Sequence, residues 1–97
     1  MTLKTNYART LFDLGRFDEA LQLEEDALNY RLSNLPPHHE YIVINHYDIG
    51  KICLKLGKMD LAEEHLREAL KIVKKPEYQG REITDEMISG LLKSLHG

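Results

Sequence analysis

The sequence predicts an all-α chain: a short right-handed α-solenoid of two helix-turn-helix units followed by a C-terminal capping helix. Three observations carry that expectation. First, the words "LGRFDEAL" at 14–21 and "LGKMDLAE" at 56–63 are near copies. Second, at this offset of 42 residues Leu14/Leu56, Gly15/Gly57, Asp18/Asp60, Ala20/Ala62, Ala27/Ala69 and Leu28/Leu70 are identical. Self-similarity on this scale marks stacked structural units, each of which needs its neighbours to bury its apolar face. Third, apolar residues recur at helical spacing and no stretch alternates as a strand does.

Taken in order, the first helix places Leu3, Tyr7, Leu11 and Leu14 at the spacing of one face. Gly15 stops it, because glycine readily adopts the left-handed conformation of a helix end. Asp18 is placed to cap the second helix by accepting orphan backbone N–H groups. That helix carries Ala20, Leu23, Ala27 and Leu28 on one side, with Glu19, Glu24, Glu25 and Asp26 mostly on the others. "SNLPPHH", 33–39, is a connector, since two prolines do not fit inside a helix. A longer helix runs from about His39 to Leu56, then Gly57, then a helix from Asp60 to about Lys74. "KPEYQGRE" is the second connector. Thr84 caps a fifth helix with the stripe Met87, Ile88, Leu91, Leu92 and Leu95. The expectation is one domain, 1–97, with units at about 2–34 and 38–74 and the capping helix at about 84–96.

This pattern resembles the tetratricopeptide repeat. The first unit supplies Tyr7, Ala8, Gly15, Phe17, Ala20 and Ala27 to that motif. The second supplies Ile49, Gly50, Gly57, Met59, Ala62 and Ala69. The resemblance covers about residues 2–74, and the fifth helix continues the register. It implies that the small Ala8 and Gly50 face Ala20 and Ala62 where paired helices cross, with Phe17 and Met59 wedged between successive turns. The family's usual unit is about 34 residues; the longer spacing here is similar to the kinesin-light-chain style of repeat. The C-terminal helical region of SET-and-MYND methyltransferases also looks similar, although no methyltransferase portion is present. Glu24 departs from the pattern, standing where the family places a large apolar residue and where the second unit has Leu66.

The resemblance implies a non-catalytic protein–protein interaction module that binds a peptide or helical segment on the concave face made by its first helices. Carried over residue by residue, that face comprises Thr5, Asn6, Arg9, Phe12 and Asp13, then Ile44, Tyr47, Asp48, Lys51, Leu54 and Lys55, with Glu86, Ser89 and Lys93 from the fifth helix. Asn6, Arg9, Phe12, Tyr47, Asp48, Lys51, Leu54 and Lys55 are the candidate partner-binding residues. Apolar groups beside Arg9, Lys51 and Lys55 imply a partner segment with apolar and acidic residues. The alternative is a structural, self-associating module or a piece of a longer helical array; with two and a half units, either a concentration-dependent homo-oligomer or a marginally stable monomer is expected. Thr5, Arg9 and Asp48 replace the groups with which chaperone-binding repeats hold a C-terminal carboxylate, and Asp48 would repel one.

Other chemistry finds little support. Adjacent His38 and His39 point apart on a connector, and with Glu40 and His46 they read as solvated rather than as metal ligands. Cys53, the single cysteine, reads as a buried small apolar residue, which excludes an internal disulfide and suits a reducing, cytoplasmic setting. No phosphate loop or nucleophile motif is present, so no catalytic residue or cofactor is expected. The formal charge of −3, with cations dispersed among acids, argues against nucleic acid. No apolar run approaches the ~20 residues of a membrane helix.

Overall fold

The computed structural model describes residues 3–96, with the side chains of residues 7–95. Among the described residues there are five helices and no strand: α1 (Leu3–Asp13), α2 (Phe17–Asn34), α3 (Glu40–Leu56), α4 (Met59–Val73) and α5 (Asp85–His96). Each helix packs on the next in sequence, and α5 also touches α3. The chain is thus an all-α helical repeat.

The duplicated words fold into duplicated turns. Gly15 and Gly57 have φ of 81° and 77°, a left-handed geometry that a side chain would strain. The N–H of Gly15 donates to the Phe12 carbonyl at 3.0 Å and that of Arg16 to the Leu11 carbonyl at 2.8 Å. The N–H of Gly57 donates to Leu54 at 3.3 Å and that of Lys58 to Cys53 at 2.9 Å, the same pair displaced by one repeat. Such paired bonds satisfy carbonyls that a helix end leaves orphaned. The turn is so tight that Arg16 and Lys58 both end one helix and begin the next, without a side-chain cap. Asp18 and Asp60 therefore do not cap. They lie inside the first turns of α2 and α4, where their charge suits the helix dipole. Thr84 does cap α5, its Oγ1 accepting from the Met87 N–H at 3.2 Å.

The core runs between the helices through Leu11, Ala20, Leu21, Leu28, Ile49, Cys53, Ala62, Leu66, Ala69 and Ile88. Several sequence expectations are corrected here. In α1 the buried side is Ala8 and Leu11, while Tyr7 and Leu14 are exposed, because α2 covers only one side of this helix. In α2, Glu24 is 1% exposed rather than on a solvated side, and Arg31 is buried seven residues on. Gly50 makes room chiefly for Leu66, not Ala62: a Cβ on Gly50 would stand 2.6 Å from Leu66 Cγ and Cδ2. Met59 and Met87 are exposed, so Met59 does not wedge between turns and Met87 leaves the α5 stripe.

Candidate functional site

Glu24 and Arg31, two turns apart on α2, meet Tyr41, Asn45 and Asp48 on one side of α3. Asn45 is fully buried: its Nδ2 donates to Glu24 Oε1 at 2.6 Å, and its Oδ1 accepts from Arg31 Nη1 at 2.7 Å. The same Nη1 donates to the Tyr41 carbonyl at 3.2 Å, and the guanidinium lies 4.7 Å from the centre of the Tyr41 ring. Burial pulls Arg31 below the ordinary arginine value, against the opposing pull of Glu24, Tyr41 and Asp48. Glu24 also hydrogen-bonds Asp48; burial first, then Asp48, pushes the Glu24 carboxyl up to about 9. Glu24 is therefore protonated at neutral pH and donates to Asp48.

Asp48 continues the network outward. Arg9 Nε donates to Asp48 Oδ2 at 3.2 Å, and Arg9 Nη2 donates to Glu82 Oε2 at 3.3 Å. Burial opposes the charge on Arg9, but the two carboxylates outweigh it and its pKa is raised. Glu82 reaches this position because the α4–α5 connector is tied to α3: Glu40 Oε2 accepts the N–H groups of Arg81 at 2.8 Å and Glu82 at 2.9 Å, and the adjacent Ile83 is buried.

Above this floor lies a cleft of about 340 Å³ between α1, α3 and the connector, lined by Ala8, Arg9, Phe12, Tyr47, Lys51 and Met87 among others. The Lys51 ammonium sits 5.4 Å from the ring centres of both Phe12 and Tyr47, within the range of cation–π attraction. Phe12 is held edge-on to Phe17 with ring centres 5.3 Å apart. A second depression of about 370 Å³ adjoins it, lined by Phe12, Lys51, Leu54, Lys55, Leu91 and Ser94.

Of the sequence-derived candidates, the structure brings Arg9, Phe12, Tyr47, Asp48, Lys51, Leu54 and Lys55 around these two depressions. Asp13 also lines the first. The side chains of Thr5 and Asn6 lie outside the described residues. Ile44 is a correction: it is 1% exposed, on the core side of α3. Glu86, Ser89 and Lys93 line neither depression; α5 offers Met87, Leu91 and Ser94 instead, because it turns a neighbouring stripe toward α3. Asp48 lies at the cleft floor, largely buried. The residues missed by sequence reasoning are Glu24, Arg31, Asn45 and Glu82. The first three carried a signal: polar groups at helical spacing on an otherwise apolar interface.

The histidines divide. His39 caps α3, its Nδ1 accepting the Tyr41 N–H at 3.0 Å, and His38 lies 3.8 Å from Glu77. His46 is buried between α3 and α4 with its Nδ1 2.9 Å from His65 Nδ1; burial, then His65, lowers His46 to about 4. Among the described residues no group of three His, Cys, Asp or Glu side chains is arranged to hold a metal ion, and no helix is long and apolar enough to cross a membrane. Burial pushes the Cys53 thiol up, away from the reactive thiolate form.

No curated protein and no solved structure gives a match to this chain. The family profile described as "Tetratricopeptide repeat" matches residues 1–75, covering both duplicated turns and all of α1 to α4. The chain belongs to the tetratricopeptide repeat family.

Proposed function

We propose that this chain is a non-catalytic binding module that holds an extended or helical segment of a protein partner along α3, in the cleft shared with α1 and α5. Repeats of this family generally mediate protein–protein interactions and are typically non-catalytic. The observation that carries the reading is the continuity of the two depressions: Phe12 and Lys51 line both, joining the Tyr47 end to the Leu54 end. Aromatic and aliphatic groups beside charged ones are what an interface core and its rim require. The carboxylates of Asp48 and Glu82 are matched by Arg9, whereas Lys51 and Lys55 enter none of the ion pairs among the described residues. The groove therefore suits a segment with apolar residues and one or more Asp or Glu.

The test is selection of peptides from a random library on the immobilised chain. Enrichment of apolar-acidic peptides, with binding lost in Tyr47→Ala/Leu54→Ala at unchanged melting temperature, is the expected result. Equal binding by that folded variant would move the site elsewhere.

A further inference from the structure

The cleft between α1, α3 and the connector holds more negative than positive charge. Arg9 and Lys51 line it together with Asp13, Asp48 and Glu82, while Glu24 beneath them is kept neutral by its burial. A partner's carboxylate simply added to that set meets net repulsion. The three carboxylates are not held alike. Asp48 is largely buried and bonded to Arg9 Nε and to Glu24. Glu82 stands at the rim: its side chain is 49% exposed, and it accepts from Arg9 Nη2 at 3.3 Å. A pair this open to water and salt is weakly held. The backbone beneath Glu82 is fixed without it, because Glu40 accepts the N–H groups of Arg81 and Glu82 and Ile83 is buried. The Glu82 carboxylate is therefore free to swing into water while the connector stays in place.

We propose that Glu82 stands in for an acidic residue of the partner, whose carboxylate displaces that of Glu82 from Arg9 Nη2 on binding. The inference rests on the groove reading above and adds to it a register and a built-in competitor. Exchange leaves Arg9 with two carboxylate partners and the cleft with the charge it had, so an acidic segment enters where addition would be opposed. The register follows from which residues line which depression. Arg9 lines only the cleft, Leu54 and Leu91 line only the second depression, and Phe12 and Lys51 line both. The displacing Asp or Glu thus lies at the connector end, and the partner's apolar residues run over Phe12 toward Leu54. Because its backbone is tied, Glu82 competes as an intramolecular group at high effective concentration. It lowers the affinity of acidic segments and leaves that of neutral ones alone.

The probe is the capped peptide most enriched from a random library panned on the immobilised chain, with an analogue in which every Asp or Glu is Asn or Gln. Both are titrated into the isotope-labelled full chain as wild type, Glu82→Gln and Asp13→Asn, and followed by NMR. In the wild type the acidic peptide is expected to move the Glu82 carboxyl carbon to the position of a free glutamate while that of Asp48 stays in place. Glu82→Gln should tighten the acidic peptide roughly twofold to fivefold, the contribution of an exposed ion pair, and leave the analogue unchanged. Asp13 is exposed, lines the cleft and enters none of the ion pairs among the described residues, so Asp13→Asn removes an equal charge without freeing Arg9 and should tighten binding less. Four results would overturn the exchange while the groove stands: an enriched peptide without Asp or Glu, a Glu82 carboxyl that stays on Arg9 while Tyr47 and Leu54 shift, equal tightening by the two variants, or equal tightening of peptide and analogue. A library that yields no peptide shifting Tyr47 and Leu54 would overturn the groove itself, and the exchange with it.

Discussion

Replacing Glu24 by glutamine should convert a pH-dependent contribution to stability into a constant one. Glu24 is 1% exposed, and burial and Asp48 raise its carboxyl from 4.5 to about 9. Between those values the folded chain keeps a proton that the unfolded chain has released, so stability falls as pH rises. Glutamine keeps an oxygen to accept from Asn45 and gains an N–H to donate to Asp48, which reproduces the protonated acid without titrating. The substitution is also close to isosteric, so packing beside Asn45 is retained. Integrated from pH 5 to pH 7.5, the linkage makes the wild type lose about 3 kcal/mol relative to the variant. In a domain of this size that widens the difference in melting temperature by on the order of 10 °C or more. Circular-dichroism melts of both proteins at several pH values measure it. Two parallel curves, offset by a constant amount, would refute the reasoning, because they would mean that Glu24 titrates in the folded chain as it does in the unfolded one.

Three further outcomes follow from the packing and the histidine pair. Gly50→Ala should destabilise: overpacking against the fully buried Leu66 costs roughly 1–3 kcal/mol and outweighs the ~1 kcal/mol gained in helix propensity, and Leu66→Val should relieve it in the double variant. His46, lowered to about 4, should titrate far below the ordinary 6.5 when its ring protons are followed by NMR. Because the unfolded chain takes up that proton first, this group withdraws roughly 2 kcal/mol of stability between pH 7.5 and pH 5, a loss absent from His46→Asn. Ile88→Ala should cost about 2–5 kcal/mol, since Ile88 is the fully buried anchor of α5 in the core. Unchanged melting would show that α5 lies outside the cooperative unit.

How much of this was legible in the sequence depended on which force fixed each feature. The turns were legible because glycine at 15 and 57 is a local requirement, and the local bonds repeat with it. Helix order and the capping of α5 by Thr84 followed from equally local rules. The apolar stripe of α1 was misread in part: Leu11 is buried, but Tyr7 and Leu14 are exposed, and the buried side continues instead through the small Ala8, which the repeat motif had placed at the α2 crossing. Around the cleft, the family's concave positions, carried over residue by residue along α1 and α3, were enough to group Phe12, Tyr47 and Lys51. Glu82 was out of reach, because its placement depends on Glu40 capturing backbone N–H groups from a connector that carries no periodic signal.

The Arg31–Asn45–Glu24 network also acts as an alignment key. Leu21 and Leu28 on α2 are apolar and seven residues apart, so an apolar interface alone would tolerate α2 sliding along α3 by two turns, ~10.5 Å. After such a slide Arg31 would lose its carbonyl and amide acceptors while still shut away from water, a penalty of roughly 3–5 kcal/mol for an orphaned buried charge. The α3–α4 interface is indexed differently, by one void and one filler: Leu66 fills the space that a Cβ on Gly50 would occupy. The two interfaces of one short array are thus registered by unlike devices, one of polarity and one of shape. An α4 transplanted into the place of α2 would find neither its hollow nor its hydrogen bonds.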